Sequence, residues 1–253
     1  MLQINSRREA SPVAEPSRSQ VLVLSETESL EGRKPFLLDH LTPQERDHVI
    51  RQCTPKLARR NSTVFRQGEA QKGIFLILSG GVRVFYAAPS GREITRAYWF
   101  AGNFIGGPDV FAQTRNMWSA VAIRDTSLLL LPSAVLRSLC ARMPNLALGL
   151  IEAMVFKGRC YAAMAQMLGT RTVSERMIRV LLLLAEMYGI RTENGVAINV
   201  PITHEEISHM VGATRQWVTV GLKRLQSDGI IEVGRGKLLI RNLDLLAGLA
   251  TEH

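Results

Sequence analysis

The stretch that decides the fold is PITHEEISHMVGATRQWVTVGLKRLQSDGIIEVGRGKLLI, residues Pro201 to Ile240. It predicts two short helices joined by a tight turn and followed by a β-hairpin. Thr203 is placed to cap the first helix, and Glu206, three residues later, completes a capping box. Gly212 interrupts the apolar spacing where two steeply crossing helices bring their backbones close together. This pattern is typical of a helix-turn-helix.

The second helix is predicted to begin after its cap, Thr214, and to end at Asp228-Gly229. Its apolar positions are spaced by four and three, which places them on one buried face. They are Val218, Leu222 and Leu225. Gly234-Arg235-Gly236-Lys237 then forms a tight basic turn between two short strands rich in β-branched residues. A helix-turn-helix followed by such a hairpin is a winged helix.

The side chains left outside the second helix suit duplex DNA, because such a helix enters the major groove with its N-terminal residues at the base edges. Arg215 is a bidentate donor to guanine, and Gln216 can pair with adenine. We expect Lys223 and Arg235 to contact phosphates. The full set predicted to bind DNA is Thr203, Thr214, Arg215, Gln216, Thr219, Lys223 and Arg235. A protein-interaction module with an ordinary charged face is the alternative.

Length and charge agree with a DNA partner. The chain has 253 residues, a net charge of +9 and a pI near 10.0, so it can form about two domains and favours an anionic partner. Residues 170–253 carry nearly equal numbers of basic and acidic side chains, but the basic ones gather on the proposed DNA face.

The cysteines and the hydropathy of the sequence indicate in which cellular compartment the protein is expected. Cys53, Cys140 and Cys160 are widely spaced and odd in number, so neither a disulfide framework nor a metal site is predicted. No apolar run has membrane-spanning length, and the N-terminus lacks the apolar core of a signal peptide. We therefore expect a cytoplasmic protein with no cofactor, metal or membrane partner.

The chain divides into four predicted parts and an α+β fold. Residues 1–35 are rich in Ser, Pro, Glu and Arg, broken only by Val21 to Leu24, which predicts a disordered tail. Short strands separated by turn glycines predict an all-β sandwich or barrel over residues 36–143. Residues 144–169 are predicted as a dimerisation helix and hinge, and residues 170–253 as the winged helix-turn-helix domain. The hinge is expected at Gly169-Thr170-Arg171-Thr172, where Gly169 is free to take unusual backbone angles.

The long helix, from Pro144 to about Leu168, carries residues spaced by three and four over about three heptads, as in a coiled-coil seam. The seam residues are Ala147, Leu150, Met154, Lys157, Tyr161, Met164 and Leu168. Five of them are predicted to pair two copies of the chain, because recognition helices that read a palindrome need such a connector. These are Leu150, Met154, Tyr161, Met164 and Leu168. A helix packed on its own domain has similar periodicity and is the alternative.

Taken together, these parts resemble transcription regulators of the cyclic-AMP receptor protein/Fnr (Crp/Fnr) family. The resemblance covers roughly Leu41 to Leu246. It is most specific in FRQGEAQKGIFLILSGGVRVF (Phe65 to Phe85), in GNFIG (Gly102 to Gly106) and in GATRQWV (Gly212 to Val218). It implies a homodimer in which residues 36–143 form a cyclic-nucleotide-binding-like β-roll (jelly roll) that senses a signal, followed by a long dimerisation helix and winged helices on a two-fold DNA site. RNA polymerase and a small-molecule effector are further expected partners.

Departures from the family pattern argue against cyclic AMP. Members that bind it place a glutamate after the equivalent of Gly106, where this chain has Gly107 and Pro108. The arginine that would hold the cyclic phosphate falls on Met117 or Trp118, depending on a one-residue gap, and neither donates a charged hydrogen bond. A buried phosphodiester without a cation is costly, so we predict no cyclic-AMP binding.

Other signals and activities remain open at this point. Arg83, Arg96 and Arg115 are candidates for an acidic effector, although arginines on β-roll strands more often face solvent. An iron–sulfur cluster would need four cysteines, and we predict no haem site. Cys160, beside the predicted seam, leaves a thiol-based redox response open. The alternatives to a regulator are a module of the same fold that does not act on DNA, and an enzyme. No P-loop, GxSxG or HExxH motif occurs, so we predict no catalytic residues.

Overall fold

The computed structural model describes residues 21–24, 36–111, 114–198, 202–234 and 237–250. The strands in this part of the chain are β1 Val21–Leu22, β2 Thr54–Ala58, β3 Thr63–Phe65, β4 Gly73–Ser79, β5 Gly81–Ala87, β6 Glu93–Phe100, β7 Phe104–Ile105, β8 Ser119–Ala122, β9 Thr126–Pro132, β10 Gly189–Thr192, β11 Gly195–Ile198, β12 Ile231–Gly234 and β13 Lys237–Ile240. The helices are α1 Pro43–Arg51, α2 Ser133–Arg142, α3 Pro144–Thr170, α4 Val173–Tyr188, α5 His204–Val211, α6 Arg215–Ser227 and α7 Leu243–Gly248.

The N-terminal half is a β-roll of two antiparallel sheets, with strand orders β1-β6-β5-β8-β3 and β2-β9-β4-β7. The predicted jelly-roll architecture is confirmed. The turn between β4 and β5 needs glycine, because Gly80 has φ of 87° and a Cβ there would lie 2.5 Å from the Asp125 carbonyl oxygen. Trp99 and Leu128, from opposite sheets, are among the side chains that fill the core between them.

The predicted disordered tail is wrong for Val21 to Leu24. Val21 and Leu22 pair antiparallel with Trp99 and Tyr98 of β6, and all four tail residues are buried. An apolar segment that covers a sheet edge satisfies the backbone groups of that edge and buries its own side chains. The remainder of the predicted tail lies outside the described residues.

Helix α3 extends further than predicted, so only the second half of the predicted hinge, Gly169 to Thr172, lies between the helices. Gly169 and Thr170 are helical, and the chain turns instead at Arg171 and Thr172, whose backbones are extended. Thr172 then caps α4 in a capping box with Glu175. The two helices are therefore separated by only two residues.

The predicted dimer seam is also wrong in part, because its residues pack on their own chain. Leu150 and Met164 are only 4% and 6% exposed and belong to the two hydrophobic clusters of the molecule. Met154, Tyr161 and Leu168 are half-buried against the same clusters. The sequence pattern marked the face of α3 that packs inward, which was the alternative explanation of the periodicity.

The C-terminal part is a winged helix, as predicted. Thr203 and Glu206 form the expected capping box at α5, and Gly212 ends that helix in the left-handed conformation with φ of 66°. Thr214 caps α6 by accepting a hydrogen bond from the Trp217 amide. The strands form a sheet in the order β10-β11-β13-β12, with β12 and β13 as the wing. None of the helices described has the length and apolarity needed to cross a membrane.

Candidate nucleic-acid interface and sensor interior

Helix α6 presents a polar face to solvent because its apolar face packs against the core. Val218, Leu222 and Leu225 are buried, whereas Arg215, Gln216, Lys223 and Arg224 are exposed. Among the residues that the structure describes, no carboxylate pairs with Arg215 or Lys223 at this face. Their charges are therefore free to meet an anionic partner.

The three threonines predicted to contact DNA each form hydrogen bonds within the DNA-binding domain. Thr203 exchanges hydrogen bonds with Glu206, and the Thr214 hydroxyl caps α6. The Thr219 hydroxyl donates to the Arg215 carbonyl oxygen at 2.9 Å and lies 2.9 Å from Nδ1 of His204. Because the hydroxyl proton is already used, Nδ1 of His204 is the donor in the second bond. Thr219 thereby ties α6 to α5.

The wing contributes less charge to this face than the sequence count indicates. Arg241 forms an ion pair with Glu232, Nη2 to Oε2 at 2.7 Å, across β12 and the residue after β13. Arg235 lies outside the described residues. Val220 is not among the residues predicted to bind DNA, yet it is 63% exposed on α6 one turn after Gln216. Its spacing of four from Gln216 is the signal that placed it on the same face.

The interior between the β-roll and α3 holds two cations stacked on aromatic rings. The Arg96 guanidinium carbon lies 4.9 Å from the Trp118 ring centroid and 4.4 Å from that of Tyr161. Lys157 Nζ lies 3.4 Å from the Trp99 centroid, and burial lowers the pKa of Lys157 to about 7. The space beside α3 is thus filled by the chain's own side chains, held by cation–π attraction.

The outward face of α3 carries an apolar stripe one residue out of register with the predicted seam. Leu148, Ile151 and Val155 are exposed in the single chain. The same spacing of three and four continues through Gly158, Ala162 and Ala165, which are also exposed. A Cβ added at Gly158 would meet nothing within 4 Å, so its own chain does not require glycine there.

Two family models match the chain in the two regions just described. The model of the cyclic nucleotide-binding domain matches residues 55–143, which include the β-roll strands from β3 to β9. The model of the Crp-like helix-turn-helix domain matches residues 175–249, which include α5, α6 and the wing. The chain belongs to the Crp/Fnr family of transcription regulators. It is a DNA-binding regulator, as the sequence predicted.

Similar Crp/Fnr proteins match most of its length. Electron transport regulator A of Shewanella oneidensis is 26% identical over 220 residues, covering 85% of this chain and 86% of the relative. The cyclic AMP receptor protein of Thermus thermophilus is 27% identical over 214 residues, covering 85% of this chain and 96% of the relative. A CooA variant from Carboxydothermus hydrogenoformans shares the fold with a TM-score of 0.69 at 22% identity, covering 88% of this chain and 99% of CooA.

In this Crp/Fnr chain, the turn after Gly106 has no room at Gly107 for the glutamate that cyclic-AMP-binding members of the family place there. The Gln71 side chain occupies the space beside Gly107, where an added Cβ would collide with Oε1 of Gln71. Nε2 of Gln71 donates to the Asp109 carbonyl oxygen at 2.9 Å. Trp118, one of the two candidates for the missing arginine position, is buried and donates from Nε1 to the Gly106 carbonyl oxygen at 3.1 Å.

The three arginines predicted as effector candidates each engage a different group. Arg83 forms an ion pair with Glu93, Nη2 to Oε2 at 2.6 Å, and Arg96 is stacked on rings as described. Arg115 is exposed and donates to the Gly68 carbonyl oxygen at 2.7 Å. Arg83 is therefore paired internally, whereas Nε of Arg96 is buried without a hydrogen-bond partner among the described residues.

The β-roll also contacts the helix-turn-helix directly. Nη1 of Arg83 donates to Nδ1 of His209 on α5 at 3.2 Å, and Arg92 donates to the Gly212 carbonyl oxygen. Burial, and then the charge of Arg83, lower the pKa of His209, so its ring stays neutral and can accept this bond. The sensor domain therefore holds the turn that precedes the recognition helix.

Burial contradicts the redox hypothesis for Cys160, which is fully buried, since oxidants need an accessible thiolate. Cys53 and Cys140 are half-buried, and burial raises the pKa of both thiols, to about 11 for Cys53. Within the described ranges, no group of three or more His, Cys, Asp or Glu side chains is arranged to hold a metal ion.

Proposed function

We propose that this Crp/Fnr regulator binds a two-fold DNA site as a homodimer, with Arg215 and Gln216 at the base edges. The observation that carries the proposal is the exposure of these side chains at the N-terminus of α6. Arg215 suits guanine O6 and N7, and Gln216 suits adenine N6 and N7. Gln216 stands where many family members have glutamate, so the half-site preference is shifted.

The remaining contacts position the protein on the duplex. Lys223, about two helical turns after Gln216 on α6, contacts a phosphate, as does Arg235 in the proposed wing turn. Thr203 and Thr214 lie at the N-termini of α5 and α6, whose backbone amides suit phosphate oxygens. RNA polymerase is the protein partner that we propose, and we propose no catalytic activity.

We further propose that a second copy of the chain covers the exposed stripe of α3. Large apolar residues at Leu148, Ile151 and Val155 would supply burial, and small ones at Gly158 and Ala162 would let two helices approach closely. A second copy is the occupant that fits, because a stripe with heptad spacing is self-complementary about a two-fold axis.

The effector, if one exists, is proposed not to be cyclic AMP. The interior beside α3 is occupied by the stacks of Arg96 and Lys157, and Trp118 stands where a phosphate-binding cation is expected. Neither Met117 nor Trp118, the two residues that fall at the expected phosphate-binding position, can donate a charged hydrogen bond to a cyclic phosphate.

Selection of bound DNA from random oligonucleotides tests the proposed function. The full-length protein is expected to enrich a palindrome whose half-sites are about one helical turn apart. Arg215→Ala, run in parallel, should enrich a site degenerate at one base pair per half. Enrichment of an asymmetric single site, or an unaltered consensus for the variant, would contradict the dimeric geometry or the Arg215 contact respectively.

The dimer stripe has its own test in sedimentation velocity. Val155→Glu places a charge in the proposed seam and is expected to shift the protein from dimer to monomer. Glu152→Ala, at an exposed neighbouring position that pairs with His40, is the matched control and should remain dimeric. A dimeric Val155→Glu protein would show that the chains associate elsewhere.

A further inference from the structure

Val220 occupies the centre of the outward face of α6. In a helix of 3.6 residues per turn it points roughly opposite the buried face formed by Val218 and Leu222. Gln216 lies one turn before it and Lys223 nearly one turn after it. Any surface that meets Gln216 and Lys223 together also meets Val220.

Folding of the free protein gives no reason for a valine here. The side chain is 63% exposed, so it gains little from burial. Valine is β-branched and a poorer helix former than alanine, lysine or glutamine. An exposed valine at the middle of a recognition helix therefore points to an apolar group on the partner.

The major groove offers one such group, the 5-methyl of thymine. The other base edges present hydrogen-bond donors and acceptors, which valine cannot satisfy and would cover at a cost. We propose that Val220 contacts a thymine 5-methyl group next to the base pair that Gln216 reads. This inference rests on the proposed docking of α6 in the major groove and adds a second, apolar element to its specificity.

Deoxyuridine substitution tests the contact, because deoxyuridine keeps the hydrogen-bonding groups of thymidine and lacks only the methyl group. In the site selected by the wild-type protein, each thymine of a half-site is replaced singly and the dissociation constant is measured. We expect one position to lose about fourfold, since removing one buried methyl-sized group costs ~0.8 kcal/mol and 1.4 kcal/mol is tenfold.

Val220→Ala is expected to bind the thymine site about fourfold more weakly than wild type and to be insensitive to deoxyuridine at that position. Leu245→Ala removes a comparably exposed apolar side chain on α7 and should keep the wild-type sensitivity. Alanine favours helix, so circular dichroism should show an unchanged or raised melting temperature for the Val220 variant.

If the Val220→Ala protein were still sensitive to the missing methyl group, so that the affinity losses from the substitution and from deoxyuridine added, the assignment would be overturned. So would a wild-type protein indifferent to every thymine replacement. Failure of the wild-type protein to select any DNA would instead overturn the docking on which the assignment rests, and the two failures are distinguishable because only the second abolishes binding.

Discussion

Two regions of the molecule use arginine and lysine in opposite ways. On α6, Arg215 and Lys223 are exposed and unpaired with described carboxylates, so each can exchange water for a nucleic-acid oxygen. Beside α3, Arg96 and Lys157 are enclosed and stacked on aromatic rings. A cation that solvent still reaches can bind an anionic partner. An enclosed cation already interacts with the aromatic rings around it, so its presence does not indicate a ligand.

The largest effect is expected from dismantling the interior stack at Trp118. Trp118→Ala removes a buried ring that contacts Arg96 and Tyr161 and should lower the free energy of unfolding by about 3–5 kcal/mol. Urea unfolding followed by circular dichroism measures it. Met117→Ala, at the exposed neighbouring position, should stay within about 0.5 kcal/mol of wild type. Equal losses for the two variants would remove the structural role of the stack.

The exposed cations should affect binding and leave folding unchanged. Arg215→Ala is expected to cost about 1–3 kcal/mol on the selected site and to relax specificity at one base pair. Lys223→Ala should weaken binding to all sequences alike and lower the salt slope by about one. Fluorescence anisotropy at several salt concentrations separates the two outcomes. Uniform weakening by Arg215→Ala would make it a phosphate contact instead.

Lys157 should reveal its burial in the pH dependence of stability. Burial lowers its pKa in the folded protein to about 7 from the ordinary lysine value of 10.5, so between these values the unfolded chain binds the extra proton. Stability therefore rises with pH through this window, by at most about 1.4 kcal/mol per pH unit. Unfolding free energies of wild type and Lys157→Met, measured from pH 7 to 9, should show this slope only in wild type. Parallel curves would mean that the ammonium is solvated.

Cyclic AMP is expected to have the smallest effect, which is none. Titration of the purified protein in a calorimeter should give no binding heat at micromolar concentrations, because neither Met117 nor Trp118 supplies the charged donor expected at the phosphate position. The Thermus thermophilus relative, named a cyclic AMP receptor protein, is a suitable positive control. Micromolar binding by this chain would show that the stacks open.

Local sequence signals predicted the capped helices and the turns well. Thr203 and Thr214 each cap a helix where the sequence placed them. Capping depends on residues within one helical turn, so its signal is contained in a few consecutive positions. The same holds for the glycine-bounded strands of the β-roll.

Contacts between segments that are distant in the chain could not be predicted from the sequence. Most positions of α3 are apolar or small, so heptad spacing fits both the inward face and the exposed stripe, and it does not distinguish Leu150 from Ile151. The Arg96–Trp118–Tyr161 stack joins three elements distant in the chain, which no local pattern encodes. Val21 to Leu24 is too short for its pairing with β6 to show as a period.

That short strand has a practical consequence for anyone trimming the protein. Val21 and Leu22 form the edge strand that pairs with β6, and Leu22 to Leu24 also line a gap beside Val180 and Met210 of the DNA-binding domain. A protein shortened to begin after Leu24 would present the open edge of β6 to solvent. Open edges pair with one another, so such a shortened protein should precipitate or form sheet-linked oligomers even though every recognition residue is intact.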